Sequence, residues 1–187
     1  DAIIMFMAVA FLERVPTRES CWRSVVMMGA NTTSYKFALA KSLIDLSITG
    51  KSFISLEELA IPFSESICEH IQHHAKQGKN PTNTFLDACK KRNTGDISED
   101  VLISETVKLG FRYVLDRFHH VNNGEMPVKF FVDESKDKSG ITLTDDFFRL
   151  SEGNQFNNLP KEVEARWNLV ETAWDLNTSA NLLDIEY

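Results

Sequence analysis

Cysteine is scarce in this chain of 187 residues: Cys21, Cys68 and Cys89 are the only three. An odd number at wide spacing excludes a disulfide framework and supplies no Cys-x-x-Cys metal site. A reducing, cytoplasmic setting is the expectation that follows. Long hydrophobic runs are missing as well. The most apolar stretch, Ala2 to Leu12, has 11 residues, too few to span a bilayer, and no basic segment precedes it as a signal peptide requires. No membrane partner is expected. There is no Gly-rich phosphate loop, no nucleophile elbow, no internal repeat, no low-complexity segment and no linker long enough to divide the chain. What these absences leave is a single domain over residues 1–187, large enough to bury a core without metals or disulfides.

Positive charge is short too, because the net charge is −7. The deficit is local. Residues 133–187 hold twelve acids and five bases, which accounts for all of it, while the acids and bases of residues 1–132 cancel. Any phosphate-facing surface is therefore expected in the first two thirds.

Hydrophobic periodicity predicts a mainly α fold, a compact bundle of seven or eight helices with one small β-hairpin. Helices are expected over residues 2–14 and 18–28, the second stopped by Gly29. Thr32 or Thr33 is placed to cap a third, in which Tyr35, Leu39, Leu43 and Leu46 form one apolar stripe and Phe37, Ala40 and Ile44 another. Ser55-Leu-Glu-Glu58 is a capping box for a fourth helix. Pro62 should kink or break that helix, and Gly78 should end it. A short helix over 82–92 follows Asn80-Pro81. Ser98 caps a longer one to about residue 118, and the Asn122-Asn-Gly segment turns the chain. The strong strand signals are Val128 to Glu134 and Gly140 to Thr144, around a charged tip. Thr144 then caps a short helix. Pro160 sits at the start of the last one, where Val163, Trp167, Val170 and Trp174 face the core.

Chemistry-bearing residues are sparse. His70 with His73 or His74 has zinc-ligand spacing on a helix. The motif is not His-Glu-x-x-His, however, and a solvated polar face explains it more simply. His119 and His120 sit at a helix end, where the dipole favours them. No histidine follows His120 to complete a metal site. Asp133, Glu134 and Lys136, with Asp116 upstream, resemble the carboxylate-plus-lysine arrangement of magnesium nucleases, although charged residues also collect at hairpin tips.

Two blocks stand out as a pair: "SCWRSVVMMGANTTSYKFALAKSLIDL" and "LPKEVEARWNLVETAWDLNTSANLLDIEY". Together they resemble the N-terminal helical region of bacterial HNH endonuclease-domain proteins of the restriction and genome-defence kind. The resemblance implies a hydrolase whose divalent metal and catalytic residues lie in a C-terminal nuclease module. The His, Asn and His of that module are not present in order, so no catalytic or metal residue carries over and this chain needs no cofactor of its own. It begins with Asp rather than Met and stops in an apolar run, and so reads as the N-terminal part of a longer protein.

Three functions follow as expectations. The first is a non-catalytic domain that positions DNA or a protein partner for an HNH nuclease. The second is a catalytically silent dimerisation or sensor module, with a homodimer or protein partner. The third is a magnesium nuclease using Asp133, Glu134 and Lys136. For the first, two groups of contact residues are expected. One is Asn31, Thr32, Thr33 and Ser34 with Lys36, at a helix N-terminus that welcomes phosphate. The other is Lys76, Lys79, Lys90, Lys91 and Arg92.

Overall fold

A seam of aromatic side chains organises the molecule. In the computed structural model, which describes residues 16–28, 31–80, 83–122 and 124–177, nine α-helices surround it and two small antiparallel sheets complete it. The helix expected over residues 2–14 lies outside the described residues. The fold is mainly α and compact, as the periodicity predicts.

The first described helix, α1 (Arg18–Met28), buries Cys21, Trp22, Val25 and Val26. Helix α2 (Tyr35–Ser47) is apolar on more than one side, and it runs through the centre with Phe37, Ala38, Leu39, Ala40 and Leu43 fully buried. Its N-cap is Ser34 rather than Thr32 or Thr33, and no side-chain capping bond forms there. The reason is that residues 32–34 are taken by a strand-like contact with residues 77–79. Thr33 and Gly78 form an antiparallel bridge, Ser34 N donates to the Gln77 carbonyl and Lys79 N donates to that of Thr32.

Strand β1 (Phe53–Ser55) leads into α3 (Leu56–His73), whose N-terminus carries the expected capping box: Ser55 accepts from Glu58 N, and Glu58 accepts from Ser55 N. Pro62 does not break the chain into two helices. It sits inside one continuous helix whose burial against α2 outweighs the single lost hydrogen bond. The helix ends at His73 rather than Gly78, because residues 77–79 are used in the bridge. Asn83 caps α4 (Thr84–Asn93) by accepting from Phe85 N and Leu86 N, so this helix starts two residues later than expected.

Ser98 caps α5 (Glu99–Glu105) as expected, but no single helix reaches residue 118. The chain widens into a π-helical turn (Thr106–Gly110), loses helical pairing, and resumes as α6 (Val114–Arg117). The cause is close packing. A Cβ at Gly110 would lie 3.2 Å from the Phe63 ring and 3.2 Å from the Thr106 methyl, while Phe111 closes on Phe63 with ring centroids 4.9 Å apart. Val101 is exposed.

The turn around Asn122 joins two short paired strands, β2 (His120–Val121) and β3 (Gly124–Glu125). The predicted hairpin forms as β4 (Phe131–Glu134) and β5 (Gly140–Leu143), with a one-turn helix α7 (Ser135–Lys138) at its tip. Strand β1 pairs with the far side of β5, making a three-stranded sheet in the order β1-β5-β4. Gly140 is required there, since a Cβ would overlap the Phe53 ring and the Ile54 carbonyl. Helix α8 (Asp145–Ser151) is capped by Thr144.

The last helix, α9 (Leu159–Asp175), starts with Pro160 in its first turn and buries both tryptophans, as expected. Trp167 stacks on Phe37 of α2 with centroids 5.9 Å apart. Trp22 meets Phe130 edge-on at 5.2 Å and so ties α1 to the sheet. Cys21, Cys68 and Cys89 are free and buried. Among the described residues, no helix is long and apolar enough to cross a membrane.

Candidate nucleic-acid interface

The bridge between residues 32–34 and 77–79 has a consequence for charge. It sets Lys79 beside the N-terminus of α2, where Lys36 stands. Arg112, Arg117 and His120 line the same cleft of about 1210 Å³ as these two lysines. The walls come from the C-terminal end of α1, the N-termini of α2 and α4, the segment 109–118 and the β2–β3 turn. No carboxylate is found among the described residues that line it. In a chain of net charge −7, a concavity with four cationic side chains and no lining acid is a focused positive field.

Both α2 and α4 begin at the cleft. The first turn of α2 contains no acid, so its partial positive charge adds to the side-chain cations, whereas α4 carries Asp87 in its first turn and the Asn83 side chain takes two of its N–H groups. Arg117 is tempered by Asp116, whose carboxylate is 3.5 Å from its Nε, with both side chains about three-quarters exposed; a pair this exposed contributes little. The guanidinium of Arg112 lies over the Tyr113 ring, 5.3 Å from its centroid. Tyr35, also in the lining, packs edge-on against Phe85, and burial pushes its phenol above the usual range.

The ten expected contact residues separate into distinct environments. Thr32, Thr33, Lys36 and Lys79 line the cleft. Asn31 and Ser34 are fully buried, and among the described residues their side-chain polar atoms have no hydrogen-bond partner. Lys76 is engaged by α9, donating to the Trp174 carbonyl and to Asn177 Oδ1. Lys90, Lys91 and Arg92 sit in the last turn of α4. There Lys90 is 3.7 Å from Asp87, and Arg92 borders a smaller hollow with Glu65, Glu69 and Glu99.

Sequence reading missed Arg112, Tyr113 and Arg117, and it gave His120 only a capping role. A signal was present in Gly110, which interrupts an otherwise helical pattern.

Histidine placement also differs from expectation. His70 does not belong to a solvated face. It is buried, stacked flat on Trp167 at 3.5 Å, and held between Glu171 (2.7 Å at Nδ1) and Glu164 (3.0 Å at Nε2). Glu171, fully buried, also accepts from Gln77 at 2.5 Å, and Gln77 accepts from the Trp167 indole. His119 is buried too, and its Nε2 accepts the Phe130 N–H at 2.9 Å. Burial, with nearby Lys129 adding to it, pulls its imidazole down to about 4.

At the hairpin tip, Glu134 bonds to Lys138 and to the Thr142 hydroxyl, which hold its carboxyl below the usual range. Asp133 accepts from Ser135 N. Among the described residues, no three His, Cys, Asp or Glu side chains converge as metal ligands do.

Compared with models of known protein families, with curated proteins and with solved structures, the chain matches none. The resemblance to HNH-protein N-terminal regions therefore rests on the two sequence blocks alone.

Proposed function

We propose that this chain is a nucleic-acid-binding domain. In this reading it holds a phosphate backbone in the cleft between Lys36, Lys79, Arg112 and Arg117 and positions it for a nuclease carried elsewhere in a longer protein. One observation carries the reading: a cleft of about 1210 Å³ has four cationic side chains and no carboxylate among the described residues of its lining, in an acidic protein. A polyanion gains there from counterion release and from the start of α2. The two sequence blocks support the positioning role, because the HNH proteins they resemble place a helical region before the catalytic module. The chemistry of cutting belongs, in this reading, to that module and its metal.

The test is fluorescence anisotropy of labelled oligonucleotides at about 50 and about 200 mM salt, with wild type and a Lys36→Glu/Arg112→Glu variant. Four phosphate contacts predict a wild-type affinity falling roughly 50- to 150-fold across that range. The double reversal is expected to cost about 10- to 100-fold at the lower salt and to halve the salt slope. No binding by the wild type at low salt refutes the reading and favours a silent dimerisation or sensor module.

A further inference from the structure

The shape of the cleft narrows the kind of nucleic acid, given the reading above. We infer that it takes an unpaired strand, DNA or RNA, with a base stacked on Tyr113, and not an intact duplex. Proteins that read duplexes push a helix or ribbon outward into a groove. Here the cations line one hollow, on segments that come from several elements, so a chain bound by them enters the protein. At about 1210 Å³ the hollow also exceeds the roughly 300–1,000 Å³ of a small-molecule site, which leaves room for a run of nucleotides.

Tyr113 supplies the second part of the argument. A large aromatic ring in a cleft wall is normally packed away, yet this one is 67% exposed. Its footing is rigid. The π-helical turn (Thr106–Gly110) ends just before it, Gly110 is wedged against Phe63, and Phe111 is buried on the same ring. Widened helical turns of this type recur at functional sites. Arg112 lies against the same ring at 5.3 Å, so one base can stack on Tyr113 while its phosphate meets the guanidinium. This pairing of an aromatic platform with a cationic track is what single-strand binders use. Asn80 and Asn122, also in the lining, present side-chain amides able to bond the Watson–Crick edges that only an unpaired base exposes.

The experiment titrates the full 187-residue chain against labelled single-stranded DNA, single-stranded RNA and duplex DNA of one sequence at low salt. The variants are Tyr113→Ala and Tyr113→Phe. At least one single strand is expected to bind ten times or more tighter than the duplex. Tyr113→Ala is expected to weaken that single strand by about 5- to 100-fold, the loss of one stacked base. It should change duplex affinity by less than twofold, and Tyr113→Phe should retain wild-type behaviour. Equal binding of duplex and both single strands overturns the inference, as does a Tyr113→Ala variant that loses nothing. Both outcomes leave the nucleic-acid reading standing. A wild type that binds none of the three probes removes that reading and the inference together.

Discussion

Two charge-rich regions of this molecule are built on opposite terms. Along the seam where α9 packs against α2, α3 and the segment just after α3, opposite or hydrogen-bonding groups meet. His70 lies between Glu164 and Glu171, His74 meets Asp175 at 2.7 Å, Lys41 meets Glu164 at 2.9 Å, and Lys76 is held by Asn177. In the cleft, cations share a concavity with no lining carboxylate among the described residues. The first arrangement satisfies itself and holds helices together. The second gathers cationic side chains in one hollow, an arrangement that favours a polyanion. Changes in the seam should therefore be read in stability, and changes in the cleft in binding.

The largest expected effect lies in the seam. Trp167 stacks on His70 and Phe37 and donates to Gln77, with its side chain fully buried. Trp167→Ala is expected to cost about 3–5 kcal/mol in urea unfolding. Under conditions where the variant stays folded, its oligonucleotide affinity should change by less than twofold. Binding lost without unfolding would erase the separation between the two regions.

A smaller effect concerns the other buried histidine. Unlike His70, His119 has no carboxylate in contact among the described residues. It accepts a backbone N–H and is seated among Phe118, Phe130 and Phe131. Burial dominates in disfavouring its protonation, Lys129 adds to this, Glu125 opposes it and His120 adds a smaller part. Its folded value near 4 lies below the ordinary 6.5, so between these the unfolded chain binds the proton and the folded one does not. Stability from this group is complete above about pH 6.5 and is lost as pH falls toward 4, by at most about 3 kcal/mol. Urea midpoints from pH 4 to 7.5 measure it, and His119→Gln should flatten that part of the profile. A wild-type profile flat in this window would contradict it.

The smallest expected effect tests whether local charge density alone makes a site. Lys90, Lys91 and Arg92 are adjacent in sequence, but they stand at a helix end beside Asp87 and the acids around Arg92. Lys90→Glu/Lys91→Glu is expected to change affinity by no more than about threefold. A loss as large as that of Lys36→Glu/Arg112→Glu would move the interface to α4.

Features set by nearby residues were legible in the chain. Helix α1 has its expected bounds, the caps at Ser55, Ser98 and Thr144 form, and the β4–β5 hairpin appears where strand propensity places it. Features set by distant partners were not. Strand β1 has three residues and no usable period, and its partner β5 lies far along the chain. His70 reads as surface because Glu171 and Trp167, about a hundred residues away, decide its fate. The cleft was half visible. Lys36 and the threonines were marked by a helix start, but the rest of the cationic lining exists only because packing at Gly110 breaks a helix and releases Arg112, Tyr113 and Arg117.

The most direct test of the cleft is ultraviolet cross-linking of the full chain to a labelled single-stranded oligonucleotide, with the attached peptide identified by mass spectrometry. Cross-links should fall in residues 109–122 and 32–36, with Tyr113 the principal site, and Tyr113→Ala should remove that one. Cross-links confined to residues 84–93 or to the α9 face would contradict the assignment of this cleft as the nucleic-acid interface.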